Sequence, residues 1–366
     1  MRTPHDDDDH ENGEKNRKRV RTSEQRAGVL REPDPSESLQ EITLRPRTFA
    51  EYVGQTNLKR KLSVYVQAAK ARGEPLDHAL LCGPPGLGKT TMAYILANEL
   101  GVELHVTSGP AIEHKGVLAG HLTALAERDV LFIDEIHRLT PVVEESLYAA
   151  MEDGRIDLPV GEGSRARTMP FRLAPFTLIG ATTRTALLSA PLRGRFQIVE
   201  NLEFYSDDEL SSIVGRTASL LGFPTTDVGA AEIGRRSRGT PRIANRIVRR
   251  VRDFAQVEGR SAIDLDDANR ALHELGIDPD GLDGMDRRML RTMVELFDGG
   301  PVGIEALAAS LGEPRDTLEE VYEPFLLQRG FVIRTPRGRQ ITPRALRALG
   351  LDPGRARALQ SQLELE

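Results

Sequence analysis

Two rhythms of apolar positions alternate along this chain. Asn57–Arg72 places Leu58, Leu62, Tyr65, Val66 and Ala69 at helical spacing and stops at Gly73, which predicts a helix closed by a glycine cap. Short apolar runs then alternate with amphipathic stretches. They predict strand His78–Cys82, helix Lys89–Leu100, strand Val102–Thr107, helix His114–Ala126, strand Val130–Ile133, helix Val142–Met151 and strand Phe176–Gly180. Strands separated by helices of this length imply an α/β fold, a parallel sheet covered on both faces. Two passages break the rhythm. Ile156–Phe171 has strand-like ends around a Gly-Glu-Gly turn and reads as a protruding hairpin, and from about Ser206 to Gly276 the pattern is helical only. Pro279, Gly281 and Gly284 mark a further joint. Helices near 285–298, 303–311 and 315–329 then precede FVIRT, a PRGR turn and QIT, the arrangement of a winged helix.

This pattern gives four segments: a disordered polar extension over 1–38, a large sheet-bearing domain over 39–205, a small helical domain over 206–276 and a winged-helix head over 280–366. The 366 residues are too many for one compact core, and 39% hydrophobic residues suffice for several. The lone cysteine, Cys82, excludes an internal disulfide framework and suits a reducing compartment. The absence of a long apolar run, and a charged N-terminus with no apolar core behind it, lead us to expect a cytoplasmic protein with no membrane contact. A net charge of −6 argues against a uniformly basic nucleic-acid coat. Yet Arg235 to Arg252 holds eight arginines, and Pro324 to Leu351 holds six, neither stretch containing an acid. Local positive fields of this kind can bind phosphates on an acidic protein.

The strongest chemical signal is Gly83-Pro-Pro-Gly-Leu-Gly-Lys-Thr90, between a predicted strand and a predicted helix. Its glycines, Gly86 and Gly88 among them, let backbone N–H groups close around phosphates. Lys89 brings a cation to the β and γ oxygens, and Thr90 offers a hydroxyl to Mg²⁺. Val130-Leu-Phe-Ile-Asp-Glu-Ile-His137 is an apolar strand ending in two acids. After a phosphate loop, Asp134 reads as the metal carboxylate and Glu135 as the group that orients or deprotonates water. His137 reads as a neighbour of that pair, because no second ligand sits at metal spacing. Phe176-Thr-Leu-Ile-Gly-Ala-Thr-Thr-Arg184 ends another strand in hydroxyls, of which Thr183 can face the γ-phosphate. Taken alone, Arg195 in Ala190–Phe196 reads as a surface arginine or a phosphate-stabilising one. Thr240 and Pro241 begin a helix as cap and first residue, which puts Arg242 against the helix dipole. It answers an anion or is simply solvated.

GPPGLGKT, DVLFIDEIHRL, FTLIGATTR, PLRGRF, RGTPRIANR and QRGFVIRTPRGR follow one another in this order, and the chain from about Leu44 to about Leu349 resembles the RuvB family of hexameric branch-migration ATPases, of the AAA+ class. The resemblance implies ATP and Mg²⁺ as cofactors and a homohexameric ring on Holliday-junction and duplex DNA. It also implies a RuvA-like junction-binding partner, docked by the 156–171 hairpin, and a RuvC-like resolvase in the larger complex. Gly86, Gly88, Lys89, Thr90 and Thr91 would bind nucleotide, with Leu44 and Arg45 beside the adenine. Thr183 would be the first sensor and Arg195 the finger donated to the next subunit. Tyr205 and Arg242 would come from the small-domain side, and Glu152, Asp153 and Gly154 fall where the family touches nucleotide. Gly194 and Gln197 depart from the family's finger segment.

In the head, Arg334 and Arg339 flank the PRGR turn, so the ribbon is expected to present both on its rim to DNA phosphates. The resemblance places DNA contacts at the same two residues. A protein-binding wing would carry the same charges. A protein remodeller would share every nucleotide motif without needing the arginine-rich wing. A nucleotide-switched initiator would need base-reading side chains on Thr317–Gln328, which instead carries Glu319, Glu320 and Glu323.

Overall fold

The structure is a computed structural model describing residues 44–160 and 167–352, so the extension over 1–38 and the Gly-Glu-Gly turn lie outside the described residues. The chain divides into two compact units, Met1–Arg45 and Pro46–Glu366; the parallel sheet, its covering helices and the C-terminal ribbon all lie in the second.

Helix α1, Thr56–Arg72, buries Leu58, Leu62, Val66 and Ala69 and ends where the Gly73 N–H meets the carbonyls of Ala69 and Lys70. The sheet is built from β1 (Ala79–Cys82), β2 (Leu104–Ser108), β3 (Val130–Asp134), β6 (Thr177–Thr182) and β7 (Ile198–Asn201). Their order is β2-β3-β6-β1-β7, and every pairing is parallel. Helices α2 (Lys89–Leu100), α3 (Lys115–Thr123), α4 (Pro141–Asp153) and the short α5 (Ala190–Gly194) connect the strands. Strands β1 and β6 are buried throughout, as expected where helices cover both faces. The hairpin expected over Ile156–Phe171 pairs β4 (Arg155–Val160) antiparallel with β5 (Arg167–Arg172).

Helices α6 (Asp207–Leu220), α7 (Asp227–Arg235), α8 (Pro241–Val257) and α9 (Leu265–Glu274) come next. Reciprocal Ser206–Glu209 and Asp264–Asp267 bonds cap α6 and α9. Their apolar faces join one core with the sheet face that carries Leu81, Phe132 and Ile179, whereas Leu80, Leu131 and Leu178 pack on the opposite face.

A third core belongs to α10 (Gly284–Phe297), α11 (Ile304–Leu311), α12 (Arg315–Thr317), a π-helical turn over Leu318–Tyr322, α13 (Glu323–Gln328), β8 (Val332–Thr335), β9 (Gly338–Ile341) and α14 (Pro343–Ala348). Strands β8 and β9 pair antiparallel with Arg334 opposite Arg339, which is the ribbon of the winged helix.

Candidate active site

Register brings the carboxyl ends of three neighbouring strands together. Ile133 pairs with Gly180, and Thr182 with Cys82, so Asp134, Thr183 and Gly83 leave the sheet at one edge. Ligands of open parallel sheets bind at such edges.

After β1 the loop turns back over the start of α2. Gly88 has φ +98, and a Cβ there would lie 2.9 Å from the Tyr52 hydroxyl, so only glycine fits. Tyr205 donates to the Tyr52 hydroxyl at 2.7 Å, and both hydroxyls reach the Leu87 carbonyl, at 3.2 and 3.3 Å. Burial pushes the Tyr52 phenol up to about 12 and raises Tyr205 further, so both stay neutral donors. Tyr205 thus grips the loop's backbone. Its partner Tyr52 went unnoticed in the sequence, because the pairing joins positions 153 residues apart. The Lys89 ammonium donates to the carbonyls of Gly83 and Pro84 at 2.7 and 2.9 Å. Burial pushes it down to about 8, while Asp134 pulls the other way. Thr90 and Thr91 open α2 and are half-buried.

Burial raises the Asp134 carboxyl above the usual range; the Glu135 N–H, 2.9 Å from Oδ1, opposes this. Among the described residues, Oδ2 takes no hydrogen bond. Glu135 itself sits at φ +48, an uncommon conformation for a side chain of its size. The turn is held by close packing, since a Cβ on Gly109 would fall 2.4 Å from the Glu135 carbonyl oxygen. The Glu135 carboxylate is half-exposed and pairs with Arg138 at 3.0 Å. His137 lies 3.0 Å from Thr182 Oγ1, and burial lowers its ring below the ordinary histidine range. Beside it, the Thr183 hydroxyl is buried with no partner. An orphaned buried hydroxyl at the edge of a phosphate loop is a group shaped for an absent oxygen.

From the helical side, the Arg242 N–H donates to the Gly86 carbonyl at 3.3 Å, and the Arg242 charge acts on both Lys89 and Asp134. This contact corrects one expectation. Thr240 holds the cap position of α8 but makes no capping bond, and its hydroxyl is buried without a partner. Pro241 has no N–H, and that of Arg242 is turned onto the loop instead.

Other expected residues lie elsewhere. The Arg195 guanidinium donates to Glu152 at 3.0 Å and to the Pro191 carbonyl at 2.8 Å, with its carbon 4.1 Å from the Tyr148 ring centre. Asp153 pairs with Arg155, and Gly154 closes α4 at φ +60. Arg195, Glu152, Asp153 and Gly154 therefore form one surface cluster apart from the charges that act on Lys89. Leu44 and Arg45 belong to the unit Met1–Arg45, and their assignment rests on the sequence alone.

The ribbon corrects a second expectation. Arg334 and Arg339 are not both presented on the rim. Both bind the buried carboxylate of Glu323, at 2.6 and 2.7 Å, and Arg339 also reaches Glu319 at 3.0 Å. Burial alone would raise Glu323, but the two arginines hold it below its usual range. Arg334 keeps 56% of its side chain exposed and Arg339 only 14%. The acid-free arginine run is thus compensated by acids from elsewhere in the fold; Arg329, for example, pairs with Asp207 at 3.0 Å.

Family models match the whole of this arrangement. The Holliday junction DNA helicase RuvB P-loop domain matches 44–202, the RuvB AAA lid domain 205–278 and the RuvB C-terminal winged helix domain 279–350. The chain belongs to the RuvB family. It is 61% identical over 310 residues to the Holliday junction branch migration complex subunit RuvB of Myxococcus xanthus, covering 85% of this chain and 90% of that protein. The Thermotoga maritima RuvB Holliday junction branch migration motor superposes with a TM-score of 0.78 at 51% identity, over 85% of this chain and 99% of that one. A mutant of the same protein gives 0.79 at 52% identity, over 84% and 98%. As a RuvB-family protein the chain is an AAA+ ATPase and a branch-migration motor, with the parallel sheet, helical lid and winged helix of that family. Among the described residues, no helix is long and apolar enough to cross a membrane.

Proposed function

We propose that six copies form a ring on duplex DNA at a Holliday junction, each ATP lying at a boundary between subunits. In this reading Lys89, Gly86, Gly88, Thr90 and Thr91 hold the phosphates, Thr183 offers its hydroxyl to the γ-phosphate, and Glu135 takes the proton of the attacking water. Asp134 and Thr90 would hold Mg²⁺, a hard cation suited to a carboxylate and a hydroxyl, which would neutralise phosphate charge. Arg195 serves the nucleotide of the next subunit, with Glu152, Asp153 and Gly154 beside it. Tyr205 and Arg242 carry the change at the loop into the lid.

The observation that carries the shared site is the position of Arg195. The charges acting on Lys89 are those of Asp134, Arg242, Cys82 and Glu135, whereas Arg195 faces Glu152 and Tyr148. An arginine so held serves phosphoryl transfer across a boundary. The hairpin exposes 57% of Met169 and 45% of Phe171, an apolar pair suited to docking the RuvA-like partner, with a RuvC-like resolvase joining the assembly. Arg334 and Arg339 meet DNA phosphates once Glu323 and Glu319 yield them. The cell compartment is the cytoplasm.

The test is ATP turnover with and without four-way junction DNA and the junction-binding partner, together with junction movement. Stimulation and movement are expected; turnover indifferent to both additions would reject the reading.

A further inference from the structure

Thr183 and Arg184 are consecutive, yet they serve different parts of the molecule. Thr183 keeps its unpartnered hydroxyl at the end of β6. Arg184 reaches the winged-helix head, where Nη2 lies 2.8 Å from Asp316 and Nε 2.5 Å from Glu320. These acids are one helical turn apart, on the strut formed by α12 and the π-helical turn Leu318–Tyr322. The neighbouring ridge of the same strut, continued into α13, carries Glu319 and Glu323, which hold Arg339 and Arg334 of the ribbon. At the inner end, the Arg184 N–H donates to Thr182 Oγ1 at 3.0 Å, and that oxygen meets His137 at 3.0 Å, two residues after Glu135. The backbone bearing Arg184 is thereby tied to the turn bearing Glu135.

We infer that Arg184 is a positioning residue that couples the nucleotide site to the DNA-contacting ribbon through Asp316 and Glu320. The inference rests on the reading of Arg334 and Arg339 as phosphate contacts. When Thr183 takes up a phosphate oxygen, the strand end shifts and Arg184 shifts with it. The strut then follows the guanidinium or lets it go. The side chains are 27%, 70% and 30% exposed for Arg184, Asp316 and Glu320. Contacts so open to water are weak, so they break and re-form in each cycle and do not lock the head. A single π turn inside a helix is a frequent mark of a functional site, and here it lies between the two sets of acids. Coupling runs in reverse as well. DNA phosphates that draw Arg334 and Arg339 off Glu323 and Glu319 act on the same strut, and so on Arg184.

The test uses the full chain with Asp316→Asn and Glu320→Gln combined, both acids being on the head and remote from the phosphate loop. ATP turnover without DNA and affinity for duplex DNA should stay within about twofold of the parent, while DNA-stimulated turnover and junction movement fall at least about fivefold. Arg184→Ala should lose the same stimulation, and Arg184→Lys, which keeps one ion pair, should recover part of it. Full stimulation in the double variant overturns the inference. So does an equal fall in turnover with and without DNA, which would mark a merely structural contact. The companion variant Arg334→Ala with Arg339→Ala separates the underlying reading. Weakened DNA binding supports it, and unchanged DNA binding overturns the ribbon's phosphate role whatever the acids do.

Discussion

Arg195 and Glu152 meet at 3.0 Å across the end of α4, with the guanidinium lying over the Tyr148 ring. The pair stores a cation at the surface in a fixed orientation. Arg195→Ala should abolish turnover while leaving nucleotide binding within about threefold, and Lys89→Ala should abolish binding. Mixed together, the two inactive proteins should regain turnover, because some boundaries combine an intact loop with an intact arginine. Titrating one into the other in a steady-state ATPase assay checks this; a flat baseline at every ratio would place the arginine in its own subunit's site.

Glu135 offers a second test. Its turn is set by the backbone and by the space at Gly109, so Glu135→Gln keeps the geometry and removes only the base. Turnover should fall about a hundredfold or more with ATP affinity nearly intact. Equilibrium binding of a fluorescent nucleotide, beside turnover, separates the two effects.

Lys89 makes nucleotide affinity sensitive to pH. Burial holds its ammonium down at about 8, and phosphate oxygens beside it favour the charged form. Binding therefore takes up a proton wherever the lysine has lost one. Affinity should be level below about pH 7 and fall as pH rises through about 8, by at most about tenfold per unit. Calorimetry near pH 8.5 in buffers of different ionisation enthalpy should show proton uptake that Lys89→Arg removes.

The joint between lid and head supplies a stability prediction. Arg238 is buried and pairs with Asp283 at 2.8 Å and with the fully buried Asp286 at 2.9 Å. Burial pushes Asp286 up to about 7, against the pull of Arg238. A carboxyl with a folded value above its unfolded one takes up a proton on folding, so its contribution becomes less favourable as pH rises toward about 7. Arg238→Ala strips the cation and should cost about 3 kcal/mol at neutral pH, with a smaller loss near pH 5 where Asp286 can be protonated. Urea unfolding at the two pH values measures the difference.

Much of this was legible in the sequence because it is local. The phosphate loop, the acids ending β3 and the hydroxyls ending β6 are each read from fewer than ten consecutive residues, and the buried strands announce themselves by continuous apolar runs. What escaped is long-range. Strand β7 was missed because only Ile198 of its four residues is buried. The arginine run near the C-terminus looked uncompensated because its acids come from other elements, Asp207 lying 122 residues before Arg329. Arg339 was expected on the rim because a turn predicts exposure, but it cannot reveal that Glu323 stands behind it. The Tyr52–Tyr205 grip escaped for the same reason.

The parallel sheet has a mechanical consequence. Its strands are clamped on both sides by packed side chains, so the floor beneath the phosphates is the stiffest part of the molecule. Chemistry on that floor acts as on an anvil: recoil from each cleaved bond is absorbed by whatever rests on top and is free to tilt. The one amide that Arg242 lays on the Gly86 carbonyl is such a rest, which makes the lid the moving jaw of the tool.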